Sequence, residues 1–216
     1  MTLTHFAIIA VCAYLFGSLS FAIIVSKVTL GKDIRNYGSG NAGTTNMMRT
    51  LGTKAGLITF FGDCVKCMLA VGLVCLLFGK SHSEMLPLLK MYAAAGTILG
   101  HNFPFYLQFH GGKGIAATAG LYLSLDPVMT LVAVVLFGGA VGATRYVSLG
   151  SILVSIWLPV GTILFGQQGK WGLSQGHLYE LYAITIFLCL MAIFRHRKNI
   201  GRLLNGTESK LGQKAK

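Results

Sequence analysis

Long apolar stretches alternate with short polar, glycine-rich segments along the chain. The apolar stretches are too long and too uniform for helices with one solvated face. They predict about seven helices, near Thr4–Val25, Ala55–Phe78, Met85–Leu99, Ile115–Leu125, Val128–Ala143, Leu149–Phe165 and Leu178–Phe194. A straight bilayer crossing takes about 20 residues. The fourth stretch is short and the third and fifth are marginal, so five or six spans with re-entrant pieces remain an alternative. The pattern predicts an all-α, polytopic membrane bundle, with residues 1–216 as a single transmembrane domain. Tyr14, Gly17, Ser18 and Ser20 in the first stretch read as helix-packing positions. That stretch lacks a basic leader and a small-residue cleavage site, so it is expected to be retained as a span.

Composition agrees. Of 216 residues, 54% are hydrophobic and 11% charged, against about a quarter charged in a soluble domain. The net charge of +12 would suit nucleic acid, but its distribution points elsewhere. In a seven-span arrangement one side carries Lys27, Lys32, Arg35, Arg49, Lys54, Lys113, Arg145, Arg195, Arg197, Lys198, Arg202, Lys210, Lys214 and Lys216. The other carries Lys80, Lys90 and Lys170, and Lys66 lies within a span. This asymmetry predicts a cytoplasmic basic side, an external N-terminus and a cytoplasmic C-terminus. The five cysteines (Cys12, Cys64, Cys67, Cys75 and Cys189) all fall in apolar stretches. Cys64-x-x-Cys67 has redox or zinc spacing, but no second pair accompanies it, and small packing residues are the better reading.

Three polar segments fall on the basic side of that arrangement. Ser39-Gly40-Asn41-Ala42-Gly43-Thr44-Thr45-Asn46 is followed by Arg49, one helical turn on. Its glycines favour irregular backbone, and a helix starting near Gly43 would turn unpaired N–H groups toward an anion. It also reads as a plain serine–asparagine turn, but an arginine before an apolar stretch usually has a partner. Gly100-His101-Asn102-Phe103-Pro104 runs on to Gly111-Gly112-Lys113-Gly114, which is like a shortened phosphate loop without the spacing of a nucleotide P-loop. The intervening Phe103, Phe105, Tyr106 and Phe109 suit headgroup depth, whether as loop anchors or as an acyl-chain path. His196 and Asn199 lie on one face of a helix continuing past the last span, with Arg202 close by. Asp63 and Lys66, one turn apart in the second span, either neutralise each other or act directly. Arg145 and Ser148 either add donors to an anion pocket or merely connect two helices. The sequence holds no His, Cys and carboxylate set with metal-ligand spacing and no nucleophile elbow. These segments read as equipment for binding and positioning anions, with no metal or cofactor expected.

At these residues the chain resembles the bacterial acylphosphate–glycerol-3-phosphate acyltransferases, the PlsY family, over nearly its whole length. The resemblance rests on Gly38-Ser39-Gly40-Asn41-x-Gly43-x-Thr45-Asn46-x-x-Arg49 and on Gly100-His101-x-Phe103-Pro104 with Gly111-Gly112-Lys113-Gly114-Ile115-Ala116. It also rests on His196-x-x-Asn199-Ile200-x-Arg202-Leu203-x-x-Gly206-x-Glu208. Ala42, His110 and Cys67 stand where that family often has other residues.

The resemblance implies transfer of a fatty acyl group from acyl phosphate to the 1-hydroxyl of glycerol 3-phosphate, giving lysophosphatidic acid and phosphate. The expected setting is the cytoplasmic face of the bacterial inner membrane, and a phosphate acyltransferase is the expected source of acyl phosphate. By resemblance Ser39, Arg49, His196 and Asn199 are the catalytic candidates. Asn41, Gly43, Thr45, Asn46, His101, Gly111, Gly112, Lys113, Gly114, Arg145, Ser148 and Arg202 are the substrate-binding candidates. Asp63, Lys66 and Glu208 are expected to be structural, Glu208 by tethering the tail to a cation. The rival class is a small anion or phosphate transporter, which would more usually show paired repeats with broken helices in both halves. A lipid-binding scaffold would leave the Asn-Arg and His-Asn groupings unexplained.

Overall fold

The computed structural model describes residues 3–213, so Lys214 and Lys216 of the charge count lie outside the described residues. Within them the regular elements are helical: α1 (Leu3–Gly17), α2 (Phe21–Leu30), α3 (Thr44–Leu51), α4 (Thr53–Phe78), α5 (Leu86–Asn102), α6 (Ile115–Leu125), α7 (Pro127–Thr144), α8 (Val147–Gln167), α9 (Gln175–Arg195) and α10 (Arg197–Leu204), with three short 3₁₀ turns. Helix therefore occupies all seven predicted apolar stretches. Five helical runs are long and apolar enough to cross a membrane: Leu3–Leu30, made by α1 and α2, then α4, α7, α8 and α9. The 17-residue α5 and 11-residue α6 fall short of that length. Apolar side chains face outward, with Val28 81%, Leu76 80% and Leu190 61% exposed. Such faces suit hydrocarbon surroundings, where exposed leucine carries no penalty.

The chain divides into two compact units. The first takes in the residues up to Ala70, Ala93–Leu121 and the tail from Gly212. In it α1 meets α5 along small residues. A Cβ on Gly96 or Gly100 would overlap the carbonyls of Ala10 or Tyr14, and one on Gly17 would overlap the Thr97 backbone. Without a hydrophobic force between helices in lipid, such close backbone approach supplies the attraction. Gly120 of α6 sits against Cys64 and Cys67 of α4 in the same way, so the cysteine pair lines a packing seam. Both cysteines are buried and free of disulfide.

The first apolar stretch is one predicted span but two helices. Residues 18–20 leave the helix between α1 and α2. Partners distant in sequence satisfy the backbone groups this releases. Tyr106 Oη donates to Ser18 O at 2.9 Å and accepts from Ser20 N at 3.2 Å. Lys66 Nζ donates to Leu19 O at 2.7 Å. Unmet backbone polar groups in an apolar medium cost several kcal/mol, so those side chains stabilise this break.

The second unit comprises Val71–Tyr92 and Tyr122–Leu211. Here α7, α8 and α9 pack in succession, and α8 buries a face of small and hydroxyl residues including Gly150, Ser151, Ser155, Gly161 and Thr162. Ser151, Ser155 and Thr162 donate to carbonyls one turn back, as Ser155 does to Ser151 O at 2.8 Å. Asp126 caps α7 by accepting from Val128 N and Met129 N, both at 2.9 Å, and pairs with Lys170 at 2.6 Å. The last span also departs from the continuing helix expected beyond Phe194. His196 turns the chain between α9 and α10. Its ring Nδ1 and its own N–H both donate to Ala192 O, at 2.8 and 3.0 Å, and Arg197 Nη1 takes Phe194 O at 3.1 Å. Side chains thus claim the last carbonyls of α9 and end the helix there.

Candidate functional site

The first polar segment folds as a loop closed by its own asparagine. Asn46, 1% exposed on α3, accepts from Ser39 N at 2.9 Å and donates to Tyr37 O at 3.0 Å and Ile34 O at 3.3 Å. These bonds fix the loop backbone and hold Ser39 exposed on it. Gly38 has φ +57°, and a Cβ there would overlap Asn46 Oδ1, so the left-handed backbone and close approach both require glycine. Gly43 starts α3 without a side-chain cap, and Thr45 and Arg49 lie partly buried on the helix one turn apart. Asn41 is partly buried just before the start.

Asp33 and Arg35 brace this loop, a contribution absent from the sequence reading. Asp33 caps the turn before the loop by accepting from Arg35 N at 2.9 Å and pairs with Arg35 Nη2 at 2.7 Å. Arg35 Nη1 also donates to Leu107 O at 3.1 Å, joining the first segment to the loop after α5. The hydrogen bond from the Arg35 side chain, ahead of an opposing burial effect, holds the Asp33 carboxyl below its ordinary range. Only the i, i+2 opposite-charge spacing hinted at the pair.

The Gly111–Gly114 loop folds back onto the end of α5. Gly111 N donates to Asn102 O and Gly112 N to His101 O, both at 3.1 Å. A Cβ on Gly111 would overlap His101 O, and one on Gly112 would overlap His101 Nε2 and lie 2.8 Å from Ala42 O. Gly114, at φ +86°, packs beside the buried Asn102 amide. Lys113 is the partly buried cation of this loop. Beneath it, His101, Lys66 and Asp63 form a buried cluster. Lys66 Nζ lies 2.7 Å from Asp63 Oδ1 and 3.1 Å from His101 Nδ1, and His101 Nδ1 lies 3.3 Å from Asp63 Oδ1. The first unit thus brings together the first segment, the glycine loop, His101, Asp63 and Lys66.

The third segment belongs to the second unit and forms its own network. Glu208, 7% exposed, accepts from Arg202 Nε at 2.6 Å, Asn199 Nδ2 at 2.7 Å and Ser148 Oγ at 2.9 Å. Burial pushes the Glu208 carboxyl up, but these three hydrogen bonds and the Arg202 charge hold it below its ordinary range. Arg145, at φ +63°, closes the tail: Leu211 N donates to its carbonyl at 2.7 Å, and Arg145 Nη2 donates to Leu211 O at 2.8 Å. The side chains of Arg145, Ser148 and Arg202 therefore donate to the tail, at Leu211 and Glu208. His196 is buried, and its Nδ1–H bond to Ala192 O selects the tautomer in which Nε2 is the acceptor nitrogen of the neutral ring.

A family model described as glycerol-3-phosphate acyltransferase matches residues 7–206. The glycerol-3-phosphate acyltransferase of Clostridioides difficile (strain 630) is 42% identical over 99% of both chains. That of Thermoanaerobacter sp. (strain X514) is 41% identical over 95% of both. Among solved structures, the glycerol 3-phosphate form of PlsY (YgiH), an integral membrane glycerol 3-phosphate acyltransferase, superposes with a TM-score of 0.80 at 32% identity, covering 96% of both chains. Its lysophosphatidic acid form gives 0.77 at 29% identity over the same share.

Proposed function

The chain belongs to the glycerol-3-phosphate acyltransferase family of integral membrane enzymes, PlsY, and from that premise we propose that its acyl donor is an acyl phosphate. The acyl group passes directly to the 1-hydroxyl of glycerol 3-phosphate. The hydroxyl oxygen bonds to the acyl carbon, the bond from that carbon to the phosphate oxygen breaks, and lysophosphatidic acid and phosphate leave. The hydroxyl proton passes to His196 Nε2 or to a phosphate oxygen.

One observation carries the reading: two polar segments of the first unit each combine a partly buried cation, Arg49 on α3 or Lys113 in the glycine loop, with glycines that close packing or positive φ requires. Such loops suit phosphate groups. An acyl phosphate is already activated, so positioning and charge stabilisation can carry the step. Ser39, Asn41, Thr45 and Arg49 hold the acyl phosphate, with Gly43 opening α3 and Asn46 fixing the loop. Gly111, Gly112, Lys113 and Gly114 cradle glycerol 3-phosphate. His196 and Asn199 orient the hydroxyl, a role supported by the Nε2 acceptor that the Ala192 bond selects. Purified protein should release phosphate from an acyl phosphate only when glycerol 3-phosphate is present. Equal release without it would refute the transfer.

We also propose a bacterial inner-membrane protein with its N-terminus outside and these loops in the cytoplasm, fed by a phosphate acyltransferase. The uneven placement of lysine and arginine motivates this orientation. In a background lacking native cysteines, cysteines placed at the exposed positions Ser39, His110 and Asn205 should react with an impermeant thiol reagent only after the membrane is opened. Labelling of all three in intact cells would invert the topology.

A further inference from the structure

We infer that the buried Asp63–Lys66 pair is a positioning device: it holds His101 as a neutral imidazole protonated on Nε2, and that ring edge fixes the Gly111-Gly112-Lys113 loop. The inference rests on the proposed role of that loop in holding glycerol 3-phosphate.

Lys66 has a side chain 1% exposed, and that of Asp63 is 0% exposed. Two well-packed apolar residues commonly serve stability as well as a buried ion pair, so bulk stability does not explain the pair. The destination of the lysine hydrogens does. An ammonium has three donors and no acceptor. Two acceptors and a ring nitrogen surround Lys66 Nζ: Asp63 Oδ1 at 2.7 Å, Leu19 O at 2.7 Å and His101 Nδ1 at 3.1 Å, which accepts when the ring proton sits on Nε2. One lysine therefore balances a carboxylate, completes the break between α1 and α2, and claims the lone pair of a histidine.

That last bond fixes the imidazole. Nδ1 also lies 3.3 Å from Asp63 Oδ1, but that oxygen already takes the shorter Lys66 hydrogen. Protonating the ring would set a second cation beside a single carboxylate in a buried cluster, where uncompensated charge is costly. The neutral ring with its proton on Nε2 leaves lysine and aspartate as the only charges. Nε2 then abuts the glycine loop, where a Cβ on Gly112 would collide with it. The loop is held from two sides, by the bonds of Gly111 N and Gly112 N to the end of α5 and by the His101 ring edge. Releasing the ring lets Lys113 and the loop amides drift, which weakens glycerol 3-phosphate binding more than it slows turnover of bound substrate.

The test is kinetic. The double variant Asp63→Asn/Lys66→Met removes both charges together, so no lone charge remains in the membrane, yet it lacks the ammonium that holds His101. With thermal stability in detergent near that of the parent, KM for glycerol 3-phosphate should rise about tenfold or more while kcat stays within about threefold. A folded double variant with an unchanged KM overturns the inference. Should the double variant fail to fold, a second pair decides. His101→Gln keeps a donor near the Nε2 position and should hold KM within about threefold of the parent, whereas His101→Asn lacks that reach and should raise it about tenfold. Equal KM values in these two variants overturn the inference. A parent chain that transfers no acyl group to glycerol 3-phosphate sinks the functional reading and this inference together. An active parent with unmoved KM in the variants sinks this inference alone.

Discussion

Replacing Arg49 with alanine is expected to lower kcat by about 10²–10³-fold, the effect of removing one aligned donor from a developing negative charge, or roughly 3–4 kcal/mol. Arg49 lies partly buried near the end of α3, one turn after Thr45, on a helix whose N-terminal loop is closed by Asn46. The loop geometry depends on Asn46, Asp33 and Arg35, so the alanine variant should keep its fold and lose its chemistry. Arg49→Lys should recover only part of the rate, because a point charge lacks the planar fork that matches two phosphate oxygens. Steady-state kinetics beside thermal unfolding in detergent check this. A stable Arg49→Ala protein with parental kcat would remove the first segment from the reaction.

Gly112→Ala should act on the other substrate. The added methyl would overlap His101 Nε2 and press on Ala42 O, so the glycine loop or the first segment must shift. Overpacking of this kind costs about 1–3 kcal/mol, or about 5- to 150-fold in KM for glycerol 3-phosphate if the strain falls on binding. At Gly176, on α9, an added methyl would meet nothing within 4 Å, so alanine should be tolerated there and serves as the matched control. Titrating glycerol 3-phosphate against both variants separates them. Equal KM values in folded protein would show that close packing at Gly112 does not shape the binding loop.

Hydropathy makes most of the helical framework legible, because apolar length alone sets where a chain can lie in lipid. Thus the apolar pattern marks Val128–Ala143 where Pro127–Thr144 is helical, and it marks Ile115–Leu125 to the residue. The helix breaks are not legible. The one at residues 18–20 depends on Tyr106 and Lys66, and that at His196 on side chains competing for the α9 carbonyls. Gly17 can be picked out as a packing residue, but Gly96 and Gly100 cannot, because only the Ala10 and Tyr14 carbonyls give their lack of a Cβ a purpose. The division into two units is also hidden, since its boundaries after Ala70, Tyr92 and Leu121 cut through apolar helices rather than linkers.

The three polar segments are legible in the sequence. What each side chain bonds is less so. Asn46 reads like a ligand donor in sequence, yet its hydrogen bonds close its own loop. Ser148, Arg202 and Asn199 can be singled out as polar candidates, but their common partner Glu208 is what gathers them. Asp33 and Arg35 look like ordinary surface charges until the Leu107 carbonyl gives the arginine a second task.

Direct acyl transfer is the central claim, and one labelling measurement tests it. The cysteines most deeply placed, Cys64, Cys67 and Cys189, are buried in helices where thiolate formation is disfavoured. Protein incubated with acyl-labelled acyl phosphate and then denatured should carry no covalent label. Adding glycerol 3-phosphate should move the label into lysophosphatidic acid in step with phosphate release. A stoichiometric, hydroxylamine-sensitive label on the protein, discharged by glycerol 3-phosphate as fast as the enzyme turns over, would contradict the account and point to Ser39 or a cysteine as nucleophile.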